Sequence, residues 1–547
     1  MQIQIHKSHT RMMRNTVILF TAMLLTKLIG AVLKIPLTNI LGGLGMGYFS
    51  TANSLFSPVY AITAAGIPTV IMRLTAQNAA SGHFRNVRAI RRAGLIASFG
   101  LGIVGSVGIF IIAKPFAAYV AGSPDSFPAM LAVAPSLLFC GMAAVYRGYH
   151  EGLSNMLPTA ISQIIEALIK SALGITLAIT FASHGVAYAA AAAIAGITVA
   201  EFFGLAFLLL RTHYFSDGIT SEQLCKSPVP QRKRVIIKSV LSESLPVTLA
   251  AVATNLNPFI DMMTIPNMIN ATVIGNRAYF LANYTYGAYG GESISDIGNF
   301  IYGSYTGIAI PIFAVATTVT AMVSKSALPE IAACACEPTD RRSLNHSLQM
   351  LFKGAFITGL PICIGLAALA EPILSMLYFS RPAEVAISAP PLAALGLGGV
   401  SLILAGTLFS VFMALGRTDL QVKLMLLGAT IKFTGNLILI RIPQLNVMGA
   451  AISTVISYTI ISFIGVILLK RIIPKSDMGI FSHITKPLLS ALLCGGTAYL
   501  CYNHILPRYF DNKIPLLATS IILGGLVYFV AIALFHRREL LLRASKP

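Results

Sequence analysis

Charged residues are scarce in this sequence of 547 residues, because they make up 11% of it while hydrophobic residues make up 56%. A soluble domain carries about 25% charged residues, so the composition excludes a soluble protein. Nearly every apolar run is long enough to cross about 30 Å of hydrocarbon as a helix. The short alternating strands of an outer-membrane barrel are absent. The composition therefore predicts an all-α polytopic membrane protein.

Signatures of catalysis and of metal binding are also missing. The seven cysteines form no disulfide framework, and Cys334-Ala-Cys336 has no second Cys or His pair nearby to complete a zinc site. No His-Glu-x-x-His, nucleophile elbow or Walker A motif occurs. The run Gly42-Gly-Leu-Gly-Met-Gly47 lacks a preceding strand and is interpreted as a tight helix connection. We expect neither enzymatic activity nor a cofactor. We expect any energy that the protein uses to come from the membrane potential or from a gradient of H⁺ or Na⁺.

The formal net charge of +20 comes from basic residues that mostly flank the apolar runs. This is the pattern of the positive-inside rule rather than of nucleic-acid binding. With the N-terminus in the cytoplasm, most Lys and Arg residues fall in cytoplasmic segments, and an even number of spans returns the C-terminus to the cytoplasm. Fourteen spans are predicted, at 15–41, 46–76, 88–114, 127–149, 157–181, 184–211, 238–265, 294–323, 347–370, 389–415, 419–441, 445–470, 483–503 and 514–536.

The order of motifs repeats roughly 260 residues along the chain, as in transporters built from two related halves. His184-Gly-Val-Ala opens span six, and Met448-Gly-Ala-Ala opens span twelve. The span before each carries an embedded lysine, Lys170 or Lys432. The prediction is two pseudo-symmetric six-helix lobes plus two C-terminal helices, which favours a transporter with its site between the lobes. The predicted segments are an N-lobe at 1–211, a cytoplasmic linker at 212–237, a C-lobe at 238–471 and a C-terminal segment at 472–547.

Two lysines, Lys27 and Lys34, stand inside the first apolar run. A cation near the bilayer centre costs roughly 2.5 to 3.5 kcal/mol on insertion scales. Seven residues are about two helical turns, so the two ammonium groups share one helix face. Arg73 could extend this stripe toward the cytoplasm, or it could be an interfacial residue whose charge reaches the headgroups. The stripe predicts a cationic cavity that binds an anionic substrate through Lys27, Lys34 and Arg73.

Embedded acids are fewer than embedded bases, so pairing of every charge is impossible and an anionic ligand is favoured. Glu166 and Lys170 are four residues apart on one helix and could neutralise each other. Alternatively, Glu166 balances the cavity charge or takes a coupling proton. Asp261 could be a gate residue or a carboxylate at the interface, and Glu201 has no expected role beyond hydrogen bonding within its lobe. We therefore retain Glu166, Lys170 and Asp261 as candidates for coupling or charge balance.

Several segments together resemble one known family. They are Lys27-Leu-Ile-Gly-Ala-Val-Leu-Lys34-Ile-Pro-Leu, Ala65-Gly-Ile-Pro68, Arg147-Gly-Tyr-His-Glu-Gly152, Met156-Leu-Pro-Thr-Ala-Ile-Ser-Gln163-Ile-Ile-Glu166 and Tyr302-Gly-Ser-Tyr-Thr-Gly-Ile-Ala-Ile-Pro311. The sequence resembles the polysaccharide-biosynthesis branch of the multidrug/oligosaccharidyl-lipid/polysaccharide exporter superfamily. Within it, the sequence resembles the stage V sporulation protein B group, which is related to the lipid II flippases. The resemblance covers most of the chain.

The resemblance implies an alternating-access flippase for an undecaprenyl-pyrophosphate-linked saccharide, either lipid II-like or another envelope precursor. Lys27, Lys34 and Arg73 match in type the cations that hold the pyrophosphate in lipid II flippases. Tyr302 and Tyr305 stand where those flippases carry a further cavity arginine in span eight, which leaves the substrate's identity open. Spans 13 and 14 would form a groove for the lipid tail. The expected protein is a monomer of the bacterial cytoplasmic membrane, with membrane lipids and envelope-biosynthesis proteins as candidate partners.

Two other functions remain open from the sequence. A cation-coupled multidrug exporter of the same superfamily would usually carry an acid in its first span, whereas this first span is basic. A scaffold of an envelope-assembly complex would transport nothing, and the lysines within the membrane would then be hard to explain.

Overall fold

The structure is a computed structural model that describes the backbone of residues 2–276, 294–326, 331, 334, 341–473 and 480–544. Within these ranges it describes the side chains except those of residues 2–20, 23, 24, 28, 33, 294, 295, 325, 326, 341, 342, 480–482 and 536–544. Every regular element in these ranges is helical, which confirms the predicted all-α class.

Nineteen α-helices are numbered here along the described chain. Those of the first half are α1 (Gln2–Tyr60), α2 (Ile67–Ala80), α3 (Phe84–Pro115), α4 (Phe127–Val133), α5 (Ser136–Gly152), α6 (Leu157–Phe181), α7 (Val186–Tyr214), α8 (Ser221–Lys226) and α9 (Lys233–Gly275). Those of the second half are α10 (Ile294–Ser304), α11 (Ile310–Ser326), α12 (Arg341–Ala368), α13 (Ala370–Leu377), α14 (Pro382–Leu397), α15 (Gly399–Ala414), α16 (Thr418–Leu439), α17 (Met448–Ile472), α18 (Ile480–Leu500) and α19 (Lys513–Ala544).

Among the described residues, 12 helical segments are long and apolar enough to span a membrane. The bent pair α14 and α15, with an angle of 59° between them, raises this number to 13 if it forms one span. One of the segments, Lys34–Ala80, contains a break at Gly42. The protein is therefore a multi-pass membrane protein, and the count of fourteen spans stays a prediction.

Gly42, at which α1 breaks, is the first residue of the glycine run that we interpret as the connection between spans one and two. Gly42 has φ 65° and ψ −176°, a conformation that a residue with a side chain rarely adopts. The residues on both sides are helical. The glycine run therefore separates two helical segments of α1 and forms no phosphate-binding turn after a strand.

The chain divides into two compact units, Met1–Pro266 and Asn267–Pro547. In the first unit, α6 and α7 approach so closely that a Cβ on Gly196 would lie 2.8 Å from the backbone nitrogen of Gly174. Small residues permit this kind of helix contact within membranes. The approach holds α6 beside α7, the two helices that carry most of the site described below.

The second unit contains a comparable helix pair. Ser457 of α17 donates a hydrogen bond of 2.8 Å to the carbonyl oxygen of Gly428 on α16. Lys432, one turn further along α16, is buried. The helix pairs that carry Lys170 and Lys432 thus follow the same order in the two units, in keeping with the predicted repeat. The bounds predicted for the lobes stay predictions.

The segment between α7 and α9, predicted as a cytoplasmic linker, belongs to the first unit and packs against its helices α2 and α3. The short helix α8 begins with a capping box in which Thr220 and Gln223 bond each other's backbone N–H. The Arg85 side chain donates to the Leu224 carbonyl oxygen over 2.9 Å. Ile219 is buried in a cluster that includes Ile71 of α2. Most of the segment's other side chains are exposed.

Candidate functional site

A cavity of about 440 Å³ lies within the first unit, among helices α1, α5, α6 and α7. Its wall combines small and apolar residues with five titratable side chains. Those five are Lys34, Arg147, Glu166, Lys170 and Glu201. Three cations and two carboxylates give this group a formal charge of +1, so the cavity has a surplus of positive charge inside an otherwise apolar set of helices.

The Arg147 and Glu166 side chains form an ion pair in the cavity wall. The Arg147 Nε also donates to the Ser162 hydroxyl over 3.2 Å. The two charged side chains are only 15% and 14% exposed. Gly204 of α7 lies against the Glu166 carboxylate, where an added Cβ would collide with it. The glycine therefore makes room for this buried pair.

Lys34 and Lys170 bring two ammonium groups to the same cavity from different helices. Lys34 of α1 is half-buried, whereas Lys170 of α6 counts among the exposed residues. Glu166 and Glu201 lie close enough to Lys170 to interact with its charge. Like charges that face one cavity repel each other, and a bound anion would relieve this repulsion. The two lysines therefore mark the part of the wall best suited to a phosphate group.

The structure brings together only part of the predicted cationic stripe. Lys34 lines the cavity, but Lys27 is exposed elsewhere on α1. Arg73 is also exposed and pairs with Glu243 of α9. Asp261 is buried in α9 and lies outside the cavity wall. The roles of these residues stay predictions.

Two cavity residues were not recognised from the sequence as part of a site. Arg147 stands near the end of the predicted span 127–149, where a cation commonly reaches the headgroups, yet its side chain is buried against Glu166. The ion-pair partner of Glu166 is thus Arg147, although Lys170 lies on the same helix. Glu201 lines the cavity from α7. The available signal was the position of Arg147 inside the apolar run 127–149, close to an embedded acid in the next span.

Comparison with known proteins gives the class and then the family. The lipid II flippase MurJ family matches residues 306–520. The chain is 22% identical to the Stage V sporulation protein B of Bacillus subtilis (strain 168) over 469 residues, which cover 85% of this chain and 84% of that protein. It is 20% identical to the lipid II flippase MurJ of the same organism over 480 residues, which cover 84% and 83%.

The fold agrees with these matches. A solved structure of lipid II flippase MurJ in its inward closed conformation superposes with a TM-score of 0.69 at 15% identity, covering 96% of this chain and 100% of that one. The sequence matches and the shared fold together support a flippase-like member of the multidrug/oligosaccharidyl-lipid/polysaccharide exporter superfamily, and the matched proteins are flippases and transporters rather than enzymes. The polysaccharide biosynthesis protein family matches residues 12–334. The chain belongs to that family, which confirms the resemblance seen in the sequence.

Proposed function

We propose that the protein is a flippase for a lipid-linked saccharide, with undecaprenyl pyrophosphate as the carrier. The observation that carries the proposal is the cavity in the first unit, where Lys34, Arg147 and Lys170 outnumber two carboxylates. A pyrophosphate with about two negative charges cannot cross hydrocarbon unaided, because an unpaired charge there is costly. Lys34 and Lys170 would bind the pyrophosphate, while Arg147 is held by Glu166.

The membrane location and the transport cycle are parts of the same proposal. The protein would lie in the bacterial cytoplasmic membrane with both termini in the cytoplasm, in keeping with its flanking basic residues. It would move the headgroup by alternating access while the prenyl tail stays in lipid. The membrane potential or an H⁺ or Na⁺ gradient would supply the energy, with Glu166, Lys170 and Asp261 as candidates for coupling or charge balance. Lys27 and Arg73 would contact the substrate at another stage of the cycle.

A multidrug exporter is the second candidate. The carboxylates of Glu166 and Glu201 would be the features that attract an organic cation. However, Glu166 is already neutralised by Arg147, and Lys34 and Lys170 would repel such a substrate. The charge of the cavity therefore favours the anionic lipid.

Transport by the reconstituted full-length protein tests the proposal. Vesicles would contain a fluorescent undecaprenyl-pyrophosphoryl saccharide, and its movement between leaflets would be followed by a quencher added outside. We expect Lys34→Gln to slow translocation at least tenfold. Lys423→Gln is the matched control, since Lys423 is 75% exposed at the start of α16. Normal translocation by a folded Lys34→Gln variant, or export of cationic dyes by the wild type, would contradict the proposal.

A further inference from the structure

Several polar side chains that line the cavity make no hydrogen bond to the described part of the chain. Among them are Asn53 of α1, Gln163 of α6 and Glu201 of α7. Gln163 Oε1 and Glu201 Oε2 are buried acceptors without a donor among the described residues. A buried acceptor that lacks a donor costs free energy, and a ligand that donates to it recovers this cost.

The amide of Asn86, elsewhere in the first unit, is used by the protein itself. The Asn86 Nδ2 donates to Asn78 Oδ1 over 2.7 Å, and the Asn86 Oδ1 accepts from the backbone N–H of Gln231 over 3.3 Å. The charged wall of the cavity is also partly committed, because Glu166 pairs with Arg147. These groups differ from Asn53, Gln163 and Glu201, whose side chains can still form hydrogen bonds with a ligand.

The chemistry of the three side chains selects the kind of ligand group that fits. Each amide offers both a donor and an acceptor, whereas a carboxylate group presents two acceptor oxygens. A pyrophosphate provides acceptors alone, so it would leave the acceptors of Gln163 and Glu201 unsatisfied and would be repelled by Glu201. Sugar hydroxyl and acetamido groups provide donors as well as acceptors. The geometry points to an occupant with several hydrogen-bond donors.

We propose that Asn53, Gln163 and Glu201 form a subsite for the saccharide of the transported lipid, beside the lysines that bind its pyrophosphate. This inference rests on the proposed flippase function and adds a means of selection. The lysines supply affinity for any pyrophosphoryl lipid, and the three polar side chains distinguish a glycosylated carrier from a bare one. Recycled undecaprenyl pyrophosphate without a sugar would then bind more weakly than the glycosylated substrate.

Binding of two probes to the full-length protein in nanodiscs separates these contributions. The probes are undecaprenyl pyrophosphate and undecaprenyl pyrophosphate carrying a disaccharide. Asn53→Leu and Gln163→Leu keep the charge of the cavity, and we expect each to weaken binding of the glycosylated probe roughly two- to tenfold. Binding of the bare probe should stay unchanged. Gln77→Leu is the matched control, because Gln77 is exposed on α2, and it should alter neither affinity.

A third variant guards against misfolding of the leucine variants. Glu201→Gln preserves the shape of the side chain but removes its charge and one acceptor. We expect the ratio of the two affinities to fall, because the bare probe gains from the lost repulsion while the glycosylated probe loses a hydrogen bond. Lys34→Gln should weaken the binding of both probes equally. Retained binding of the bare probe shows that the variants of Asn53, Gln163 and Glu201 are folded.

The possible results separate failure of the subsite from failure of the function. If the wild type binds both probes with equal affinity, the proposal of a saccharide subsite is wrong and the flippase proposal stands. The same conclusion follows if the leucine variants weaken the binding of both probes equally or the binding of neither probe. If the wild type binds neither probe, the flippase proposal fails and the subsite fails with it.

Discussion

Arg73 of α2 is ion-paired with Glu243 of α9, 170 residues further along the chain. The same carboxylate accepts a hydrogen bond from the Ser239 hydroxyl one turn earlier on α9. The Arg73 side chain is 54% exposed and that of Glu243 is 33% exposed. An ion pair as accessible as this contributes about 0 to 1 kcal/mol to stability. The pair is therefore important because it holds Arg73 at a carboxylate outside the cavity.

We expect Arg73→Gln to weaken binding of the pyrophosphoryl lipid less than Lys34→Gln does, because only Lys34 lines the cavity in this conformation. Dissociation constants of the two variants, measured side by side in nanodiscs, test this expectation. Glu243→Gln is the control that releases Arg73 without removing it. An equal loss of affinity in Arg73→Gln and Lys34→Gln would instead place Arg73 in the binding site.

Mutation of the buried pair of Arg147 and Glu166 should lower the stability of the protein much more than mutation of the exposed pair of Arg73 and Glu243. Glu166→Gln leaves the Arg147 charge buried and without its partner, which costs about 3 to 5 kcal/mol. The double variant Arg147→Gln with Glu166→Gln should be more stable than the sum of the single variants predicts. Thermal unfolding in detergent, combined as a double-mutant cycle, measures the coupling.

The exposed pair of Glu222 and Lys226 on α8 provides the control for this cycle. Both side chains are about three-quarters exposed, at 75% and 76%, so their coupling should be about 0.3 to 0.5 kcal/mol. A coupling between Arg147 and Glu166 no larger than this would contradict the burial seen in the structure.

Gly204 should be intolerant of a side chain, although it lies within a helix where alanine is normally favourable. A Cβ at this position would collide with the Glu166 carboxylate. We expect Gly204→Ala to lower the melting temperature and to reduce lipid binding, because Glu166 must move away from Arg147. Gly108→Ala is the matched control, since nothing lies within 4 Å of its added Cβ, and it should stabilise α3 by about 0.5 to 1 kcal/mol. Equal effects of the two substitutions would contradict this account.

The class of fold could be predicted from the sequence because apolar runs and their basic flanks are local signals. Lys34, Glu166 and Lys170 could also be selected as site residues, since each is a charge within an apolar run. The pairing of these charges could not be predicted in the same way. It depends on which helices pack together, and that information lies in contacts between distant parts of the chain.

Arg147 shows where the local signal fails. It stands near the end of its predicted span, where a cation commonly extends to the headgroups. Its burial results from the packing of α5 beside α6, which brings it to Ser162 and Glu166. Arg73 shows the opposite case, because a cation that completed the predicted stripe is instead held by Glu243. Both differences arise from tertiary contacts that composition and spacing do not determine.

The attachment of the linker should weaken in acid because of Asp217. Burial acts to raise the pKa of this carboxyl, but three groups together outweigh it and hold the pKa below its ordinary value of 3.8. They are the Tyr149 hydroxyl, which donates over 2.7 Å, the Ile219 N–H, and the Arg88 guanidinium 3.5 Å away. Tyr149 belongs to α5 and Arg88 to α3, so these contacts attach the linker to helices α3 and α5.

A depressed pKa in the folded state gives stability that is fully present above the ordinary value of 3.8 and is lost as the pH falls toward the folded-state pKa. We therefore expect Asp217→Asn to lower the melting temperature at pH 7 and to have progressively less effect below about pH 4. Limited proteolysis within the linker, measured across the same pH range, should show faster cleavage of the variant at neutral pH. Asp511→Asn is the control, because Asp511 is exposed, and it should be cleaved like the wild type. A difference between wild type and Asp217→Asn that persists unchanged at pH 3 would contradict the role assigned to this carboxylate.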